Sequence, residues 1–470
     1  MIRLTQKGKI IPKNSSEIKH SRIGIGFEKL DRDVFDPKKA YDYVAKTGVK
    51  WARLQSGWQR TEKQKGVYDF EWLDKIVDKF ISLDIQPWLC LCYGNGLYTE
   101  FAQKYFGAVG CPPINSDEEK NAWIDYVKAT VTHFKGRIHF YEVWNEPDGV
   151  WCWKHGPNPK ELADFTNVTA LACKSADPDC EVLGLVLAHG QDEFSEGLKK
   201  TDILDNLDGI TYHAYRVDES EWDAKYHYYE QWLKDADRDI KIIQGESGTQ
   251  SRYGFAGALK LANWTESKQA KFLLRHLLCD IGNGCYFASY FSCMDMIEAL
   301  NGVNGDTSSY LDYGYFGVLG ADFDKNGNSV GTYTPKPSYY ALQNLCSVLS
   351  DDYEFVTPFA TAKINESMFV RGKDADFNEM SSLFIKKPNG SNAIIYWKPC
   401  NVLTETYEGT VSLAFKDLKS MGEVSLCDLL SGRVYKLPDD MVGENELVNV
   451  PVTDSPLMLT FGDFCDWEAL

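Results

Sequence analysis

The nonapeptide Phe140-Tyr-Glu-Val-Trp-Asn-Glu-Pro-Asp148 is the most informative stretch of the chain. It begins with the apolar residues of a buried strand and stops at a carboxylate, Glu146. A second stretch, Ile242-Ile-Gln-Gly-Glu-Ser-Gly248, has the same form and stops at Glu246. Because a buried acid costs free energy unless it is paired, two acids at strand ends need a reason: they are a functional pair or structural partners in buried ion pairs.

The strand before Glu146 is one of eight similar apolar runs between about residues 21 and 350. They are Ile23–Phe27, Val49–Leu54, Ile85–Tyr93, Ile138–Trp144, Val182–Ala188, Gly209–Tyr215, Ile240–Gly245 and Tyr286–Ser292. Helical patterns lie between them, for example at Phe70–Ile81 and Asn121–Phe134, where apolar residues recur every three or four positions. The last helix is predicted at Pro337–Leu349, because helix starts favour proline. Eight strand–helix alternations predict an α/β fold, a (β/α)8 TIM barrel over residues 21–350.

Residues 351–470 have a different sequence pattern from the predicted barrel. Short β-prone runs separated by Gly, Asn, Asp and Pro are found at Ser382–Ile385, Ala393–Trp397, Gly409–Phe415, Val424–Asp428, Glu446–Val450 and Pro456–Thr460. This spacing predicts an accessory domain, an antiparallel β-sandwich. Residues 1–20 form an N-terminal segment that is a candidate strand of this sandwich.

The charge of the chain limits its partners. A net charge of −18 disfavours nucleic acids and anionic membrane surfaces, because both are polyanions. Neutral oligosaccharides and glycosides are compatible with that charge. The first residues lack an apolar signal core, so we expect a cytoplasmic protein, or a secreted one if a leader precedes the printed sequence. A homo-oligomer is compatible with the sequence, which has no feature that argues for one.

No metal or cofactor is expected from the motifs. The thirteen cysteines include no Cys-x-x-Cys pair, so they are interpreted as reduced, mostly buried thiols. The eight histidines form no metal-ligand pattern at helical spacing, and no glycine-rich phosphate loop follows a strand.

The two carboxylates lie where a barrel of this type carries its active site, at the carboxyl ends of the strands. Glu146 ends the fourth predicted strand and Glu246 the seventh, so their side chains can converge. Paired carboxylates carry out glycoside hydrolysis: one gives a proton, and the other attacks the sugar or activates water. A separation of about 5–5.5 Å would indicate a retaining enzyme and about 6.5–9.5 Å an inverting one. The spacing in sequence leaves both open.

The motifs at the strand ends resemble those of clan A glycoside hydrolases, most nearly the family-39 β-xylosidases. The resemblance covers most of residues 20–350 and is strongest at Trp144-Asn-Glu-Pro147. It extends to Trp153, His213-Ala-Tyr215, Glu246, Gly317-Val-Leu-Gly and Pro335-Lys-Pro-Ser. The resemblance implies a retaining double displacement, with Glu146 as general acid/base and Glu246 as nucleophile.

The resemblance also implies roles for neighbouring residues. Asn145 would hydrogen bond the sugar 2-hydroxyl, and Arg53 and Tyr215 would hold Glu246 in its ionised form. The alternative for Arg53 is a plain salt bridge within the barrel. We expect Glu146 to stay protonated near neutral pH, because burial and the charge of Glu246 favour the neutral acid.

Other candidate residues have two readings each. His213 contacts substrate or fixes the loop after the sixth strand, and Glu28 contacts a sugar hydroxyl or is structural. Trp151 and Trp153 wall a sugar subsite or pack within their loop. Glu142, deeper in the fourth strand, is read as a structural partner of Arg53 or of His139.

Two departures from the family pattern put xylose specificity in doubt. Phe291 stands where family members carry a tryptophan platform, and Gln244-Gly-Glu-Ser differs from the usual segment around the nucleophile. The leading hypothesis is an exo-acting retaining β-glycosidase that removes single sugars from small oligosaccharides. The alternatives are an endo-glycanase of the same clan and a carbohydrate-binding barrel without catalysis.

Overall fold

The computed structural model describes residues 4–365, 369–370 and 380–470 of the chain. The parts of the predicted N-terminal segment and sandwich that fall on residues 1–3, 366–368 and 371–379 lie outside the described residues. The first strand, β1 (Thr5–Ile10), precedes the barrel.

Eight parallel strands close into a barrel, which confirms the predicted fold class. They are β2 (Ile23–Gly26), β3 (Trp51–Gln55), β4 (Gln86–Leu91), β5 (Phe140–Val143), β6 (Glu181–Leu187), β7 (Gly209–His213), β8 (Lys241–Ser247) and β9 (Ala288–Tyr290). Most are shorter than the apolar runs that predicted them, because the apolar residues continue into buried loops at the strand ends. The closed order places β5 across the barrel from β9.

Ten α-helices are described around and after these strands. They are α1 (Tyr41–Thr47), α2 (Trp58–Thr61), α3 (Glu71–Ser82), α4 (Glu100–Gln103), α5 (Asp117–Phe134), α6 (Pro159–Ala176), α7 (Glu193–Leu198), α8 (Glu219–Asp235), α9 (Glu266–Asn283) and α10 (Pro337–Val348). Helix α5 begins four residues before its prediction, because Ser116 caps it by accepting a hydrogen bond from the Glu119 backbone N–H. None of the helices in the described ranges combines the length and apolar character that crossing a bilayer requires.

Two short hairpins lie between β9 and α10 and were absent from the sequence prediction. The first pairs β10 (Met296–Ile297) with β11 (Tyr313–Gly314), and the second pairs β12 (Leu319–Phe323) with β13 (Ser329–Pro335). They extend the loop after β9 at the carboxyl ends of the barrel strands. Residues of this loop therefore become available to the site described below.

The C-terminal part forms two antiparallel sheets that enclose an apolar core. The strands are β14 (Glu354–Phe355), β15 (Ala360–Ile364), β16 (Phe369–Val370), β17 (Ser381–Lys386), β18 (Asn392–Trp397), β19 (Tyr407–Phe415), β20 (Val424–Asp428), β21 (Arg433–Lys436), β22 (Glu446–Thr453), β23 (Leu457–Phe461) and β24 (Trp467–Ala469). One sheet has the order β14-β17-β18-β23-β20-β21-β1-β24, and β15, β16 and β22 each pair with β19 in the other. Alternate residues of β19 are buried, as expected for a strand with one face on a core.

Strand β1 pairs with β21 and β24, so the N-terminal segment lies in the larger C-terminal sheet. The barrel and this sheet region contact through a buried ion pair. Arg275 of α9 donates two hydrogen bonds to Glu219, at 2.5 and 2.6 Å, and Trp397 of β18 donates to the same carboxylate at 2.7 Å. We keep the division into residues 1–20, 21–350 and 351–470 as a proposal.

Candidate active site

Glu146 and Glu246 converge at the carboxyl ends of the barrel strands. Glu146 lies just beyond the end of β5, and Glu246 is the residue before the last one of β8. His213, which ends β7, lies between them: its Nδ1 is 2.9 Å from Glu146 Oε1 and 3.9 Å from Glu246 Oε2. One oxygen of each carboxylate lies within 4.8 Å of the other. A sugar can therefore contact both acids at one carbon and its glycosidic oxygen.

The backbone at Glu146 is held in an unusual conformation. Trp144 and Glu146 have φ angles of 66° and 44°, in the left-handed region that costs free energy for residues with a side chain. Backbone hydrogen bonds hold both residues, from Trp144 N to Leu91 O and from Glu146 N to Val186 O. This local turn points the Glu146 side chain over the barrel mouth.

Irregular strand pairing positions His213 and Glu246. The register between β7 and β8 shifts at Tyr212–His213, and that between β8 and β9 shifts between Gln244 and Ser247. Such bulges re-aim side chains next to active sites. Here they flank His213 and Glu246.

Both oxygens of Glu246 accept hydrogen bonds. Arg53 Nη1 donates to Oε2 at 2.7 Å, and the Tyr215 hydroxyl donates to Oε1. The structure therefore brings Arg53 and Tyr215 to the carboxylate that the resemblance assigns as nucleophile. With its position defined at both oxygens, Glu246 is oriented for attack on a carbon above it.

Arg53 joins the remaining acids of the barrel interior. It donates to Glu142 Oε2 from Nε at 2.8 Å and from Nη2 at 2.5 Å, and to Asn145 Oδ1 at 2.9 Å. Burial alone would lower the pKa of Arg53, but the carboxylates, Glu142 foremost, raise it well above its usual value. Glu142 is thus the partner of Arg53, whereas His139 contacts Glu181.

Glu146 is held by two donors that the sequence did not reveal as a pair. His213 Nδ1 contacts Oε1, and Trp151 Nε1 donates to Oε2 at 2.5 Å. Burial acts to raise the pKa of Glu146, but the hydrogen bonds from His213 and Trp151 outweigh it, and the pKa falls below its usual value. The expectation that burial keeps this acid protonated is wrong for this arrangement, because both N–H groups favour the carboxylate.

Trp151 and Trp153 have different positions although they are near neighbours in sequence. Trp151 contacts Glu146 and the His189 ring, at 5.3 Å between ring centroids. Trp153 is fully buried and packs edge-on against Trp144 and Phe165, at 5.9 and 5.7 Å. The proposed subsite role of Trp153 is therefore wrong, since a ring without exposed surface cannot meet a sugar.

Asn145 is almost buried and uses both ends of its amide. Its Oδ1 accepts from Arg53, and its Nδ2 lies 3.4 Å from Cys152 Sγ. One N–H remains for the sugar 2-hydroxyl, so the contact implied by the resemblance stays a prediction. Cys152 holds the amide in place and has no separate chemical role here.

Phe291 forms part of the site together with residues that carry no sequence motif. Its ring packs against Phe316 at 5.4 Å, and Lys29 Nζ lies 4.8 Å from its centroid. Lys29 also pairs with Glu298 at 3.2 Å. Lys29, Glu298 and Phe316 were not among the residues predicted from the sequence. Lys29 could have been found from its place three residues after the end of strand β2, but Glu298 and Phe316 come from the segment after β9 that contains the two unpredicted hairpins.

Glu28 is buried beside Arg53, with Nη1 3.5 Å from its Oε1. Among the described residues, neither of its oxygens has a hydrogen-bond partner. Burial raises the pKa of Glu28 to about 8, although Arg53 opposes this shift. The raised pKa favours the neutral form of Glu28, which can donate a hydrogen bond.

We expect Glu28→Gln to be more stable than the wild type in neutral solution. The raised pKa means that the folded state binds this proton more tightly than the unfolded chain. In the wild type, the protonated Glu28 side chain therefore stabilises the folded state fully below the ordinary carboxyl pKa. This stabilisation is lost as the pH rises toward about 8, whereas a glutamine has no proton to lose. The difference in unfolding midpoint between variant and wild type should widen from about pH 5 to about pH 8. A constant difference in thermal unfolding across that range would contradict the assignment.

Two groups of residues have donor atoms close enough to hold a cation. One is Glu146, His213 and Glu246, and the other is Asp148, His189 and Asp192. In the first group, the Arg53 and Trp151 donors already contact the carboxylates. In the second, each Asp148 oxygen accepts a backbone N–H, from Ala188 or His189. The first group comes from the ends of three different strands, whereas in the second His189 and Asp192 share the segment after β6 and only Asp148 comes from another strand end.

A cavity of 880 Å³ lies at the opposite end of the barrel, at the amino ends of the strands. Its lining includes Trp51, Lys241 and Tyr286 and, within the described part of the chain, none of the site residues above. In barrels of this type, chemistry occurs at the carboxyl ends. At the carboxyl ends, the Glu146 and Glu246 side chains are only 10% and 12% exposed.

Comparison with known proteins places the chain among carbohydrate-active enzymes. The model of the family "Glycosyl hydrolases family 39" matches residues 34–410. A β-xylosidase from Geobacillus stearothermophilus is 31% identical over 186 residues, which are 37% of this chain and 35% of that relative. The aligned part therefore spans about a third of the length of that curated relative.

Solved structures share the fold at low identity. A family 39 glycoside hydrolase from the gut symbiont Bacteroides cellulosilyticus WH2 has a TM-score of 0.64 and 16% identity, covering 94% of this chain and 80% of that one. A family 39 β-xylosidase from Caulobacter crescentus has a TM-score of 0.57 and 16% identity, covering 97% and 98%. These likenesses support the fold: a barrel with a C-terminal antiparallel domain.

Proposed function

The chain belongs to family 39 of the glycosyl hydrolases, and from this premise we propose that it is a retaining exo-β-glycosidase that removes single neutral sugars from small oligosaccharides. The observation that carries the proposal is the approach of Glu146 and Glu246 oxygens within 4.8 Å. Retaining enzymes need a separation of about 5–5.5 Å, whereas inverting enzymes need about 6.5–9.5 Å to admit water between the acids. β-Xylosides are the first substrates to try, since the curated relative is a β-xylosidase.

In the first step, Glu246 attacks the anomeric carbon and the bond to the leaving-group oxygen breaks. Glu146 gives its proton to that oxygen, so the leaving group departs as a neutral alcohol. The product is a glycosyl ester of Glu246. In the second step, Glu146 takes a proton from water, whose oxygen attacks the same carbon and releases Glu246.

The lowered pKa of Glu146 in the free site is compatible with this cycle. Two N–H donors stabilise the charge of Glu146: His213 contacts Oε1, and Trp151 donates to the other oxygen, Oε2. A leaving-group oxygen that replaces Trp151 at Oε2 removes one of those donors and excludes water. Burial then dominates and favours the protonated acid. His213 Nδ1, at 2.9 Å, is within reach for sharing that proton.

We expect Trp151→Phe to move the basic limb of the pH profile. Phenylalanine keeps a ring but removes the N–H that favours the ionised form of Glu146, so the pKa of Glu146 rises. The basic limb of kcat/KM for a phenyl β-glycoside should move to higher pH by about one unit. A basic limb at the wild-type position would show that Trp151 does not act on the acid.

The small exposure of the site supports exo action. The two acids are 10% and 12% exposed, and Glu28, Lys29 and Glu298 are also buried beside them. Low exposure of both acids is expected where a pocket accepts only the end of a chain, whereas an endo-glycanase needs a groove that is open at both ends. Digestion of xylohexaose should release xylose alone at early times; a mixture of shorter oligosaccharides would favour the endo alternative.

The central experiment is hydrolysis of a panel of nitrophenyl glycosides, comprising the β-xyloside, β-glucoside, β-galactoside and α-L-arabinoside. We expect the first sugar formed to keep the anomeric configuration of its substrate. NMR of the reacting mixture measures this configuration directly. Inversion would overturn the retaining mechanism. Binding of xylo-oligosaccharides without turnover of any glycoside would favour the non-catalytic barrel.

We further propose that the enzyme acts in the cytoplasm. The structure describes all thirteen cysteines, and each is a free thiol. Unpaired thiols in this number suit a reducing compartment. The net charge of −18 suits a neutral oligosaccharide as partner better than a nucleic acid or an anionic membrane.

A further inference from the structure

A buried lysine lies behind the proposed acid/base. Lys225 of α8 is only 2% exposed, and its ammonium group donates hydrogen bonds to two backbone carbonyls, those of Ala188 and His213. Ala188 follows the last residue of β6, and His213 ends β7. A single side chain therefore joins the ends of two adjacent barrel strands.

The same corner holds the loop that carries Glu146. Asp148, two residues after Glu146, accepts the backbone N–H of Ala188 at 3.0 Å and that of His189 at 2.7 Å. Asp148 thus ties the Glu146 loop to the end of β6, and Lys225 ties the end of β6 to His213. Since His213 contacts Glu146 at 2.9 Å, the chain of contacts begins and ends at the acid.

On the premise of the proposed function, we infer that Lys225 is a positioning residue for the acid/base step. It holds His213 and the Glu146 loop where Glu146 can protonate the leaving group. Lys225 contacts neither Glu246 nor its donors Arg53 and Tyr215 in the described structure. Its effect should therefore fall on proton donation and leave attack by Glu246 intact.

The position of Lys225 is costly, which argues against an accidental contact. Burial lowers the pKa of Lys225 to about 7, and the charge of Asp148 opposes this. A neutral side chain of similar length would avoid that cost of burial. The charges of Asp148, Glu146 and Asp192 act to raise the pKa of Lys225, so this lysine is electrostatically linked to the corner that holds the acid.

The test uses two substrates with different demands on the acid. A 2,4-dinitrophenyl glycoside has a leaving group stable enough to depart without a proton, whereas a phenyl glycoside requires one. We expect Lys225→Met to lower kcat/KM for the phenyl glycoside by about tenfold or more, within the range of general acid catalysis. For the dinitrophenyl glycoside, kcat/KM should stay within about twofold, since the residues that hold Glu246 are untouched.

The matched control is Lys336→Met, which also replaces a buried lysine at the catalytic end of the barrel. Lys336 pairs with Asp295 at 2.6 Å and Ser251 at 2.8 Å and has no contact with the Glu146 corner. Its substitution should leave the ratio of the two kcat/KM values unchanged, whatever it does to stability.

Each outcome decides between the claims. Equal losses on both substrates, or no loss, in Lys225→Met would overturn the inference while leaving the proposed function intact. A wild-type protein that hydrolyses neither glycoside would overturn the proposed function itself. Lys225→Gln is made in parallel and replaces Lys225→Met in this test only if Lys225→Met does not fold. If neither variant folds, Lys225 serves the fold and the inference is wrong.

Discussion

Glu246→Ala is expected to abolish measurable turnover of every aryl β-glycoside that the wild type accepts. Without a nucleophile no glycosyl ester forms, and losses on the order of 10⁴ or more in kcat are typical for such a residue. The loss should be the same for phenyl and dinitrophenyl leaving groups, since attack is required for both. Sodium azide should restore cleavage of the aryl glycoside by entering the space left by the carboxylate and attacking the anomeric carbon in its place.

The product of azide rescue makes this result specific. Azide attacks from the side of Glu246, so it should yield a glycosyl azide of inverted configuration, and the aglycone leaves with the proton of Glu146. The control is Glu193→Ala, which removes an exposed acid in the first turn of α7 and should leave kcat/KM unchanged. Persisting activity in Glu246→Ala would contradict the proposed nucleophile.

Glu146→Ala should separate the two halves of the reaction. For a phenyl glycoside, kcat/KM should fall by about 10²–10⁴, the usual contribution of a general acid. For a dinitrophenyl glycoside the first step needs no proton, so kcat/KM should change little. The second step still needs the base, so kcat should fall and the glycosyl ester on Glu246 should accumulate, observable as a burst of dinitrophenol and by intact-protein mass.

Azide also distinguishes this variant from the first. Here the anion attacks the glycosyl ester from the side of the missing Glu146, so the glycosyl azide should keep the configuration of the substrate. Retained product from Glu146→Ala and inverted product from Glu246→Ala would together assign both roles. The same configuration from both variants would mean that one assignment is wrong.

The barrel could be predicted because its pattern is local. Each strand is a short apolar run and each helix has a three- and four-residue repeat, so Phe70–Ile81 and the run around Val143 can be recognised without knowledge of their neighbours. Strands β10 and β11 were missed because each has only two residues, and β12 and β13 because they are partly exposed, as in Ser329–Pro335. Such segments form through pairing with each other, and their composition alone does not separate them from loops.

The contacts of the proposed acid/base, Glu146, could not be predicted from the sequence for a different reason. Trp151 was a candidate, but its N–H bond to Glu146 depends on how the loop after β5 folds back. His213 was left between two roles, and its contact with Glu146 depends on the shifted register at the end of β7. The sign of the pKa shift of Glu146 depends on both, and it is opposite to the expectation from burial alone.

By itself, the sequence determined the barrel, its C-terminal antiparallel domain and the two strand ends that carry carboxylates, since apolar periodicity and strand order are properties of the linear chain. Tertiary structure alone decided which groups meet those carboxylates. Donors such as Arg53, Trp151 and His213 come from separate elements, and hydrogen bonds depend on differences in distance of a few tenths of an ångström that no spacing along the chain specifies.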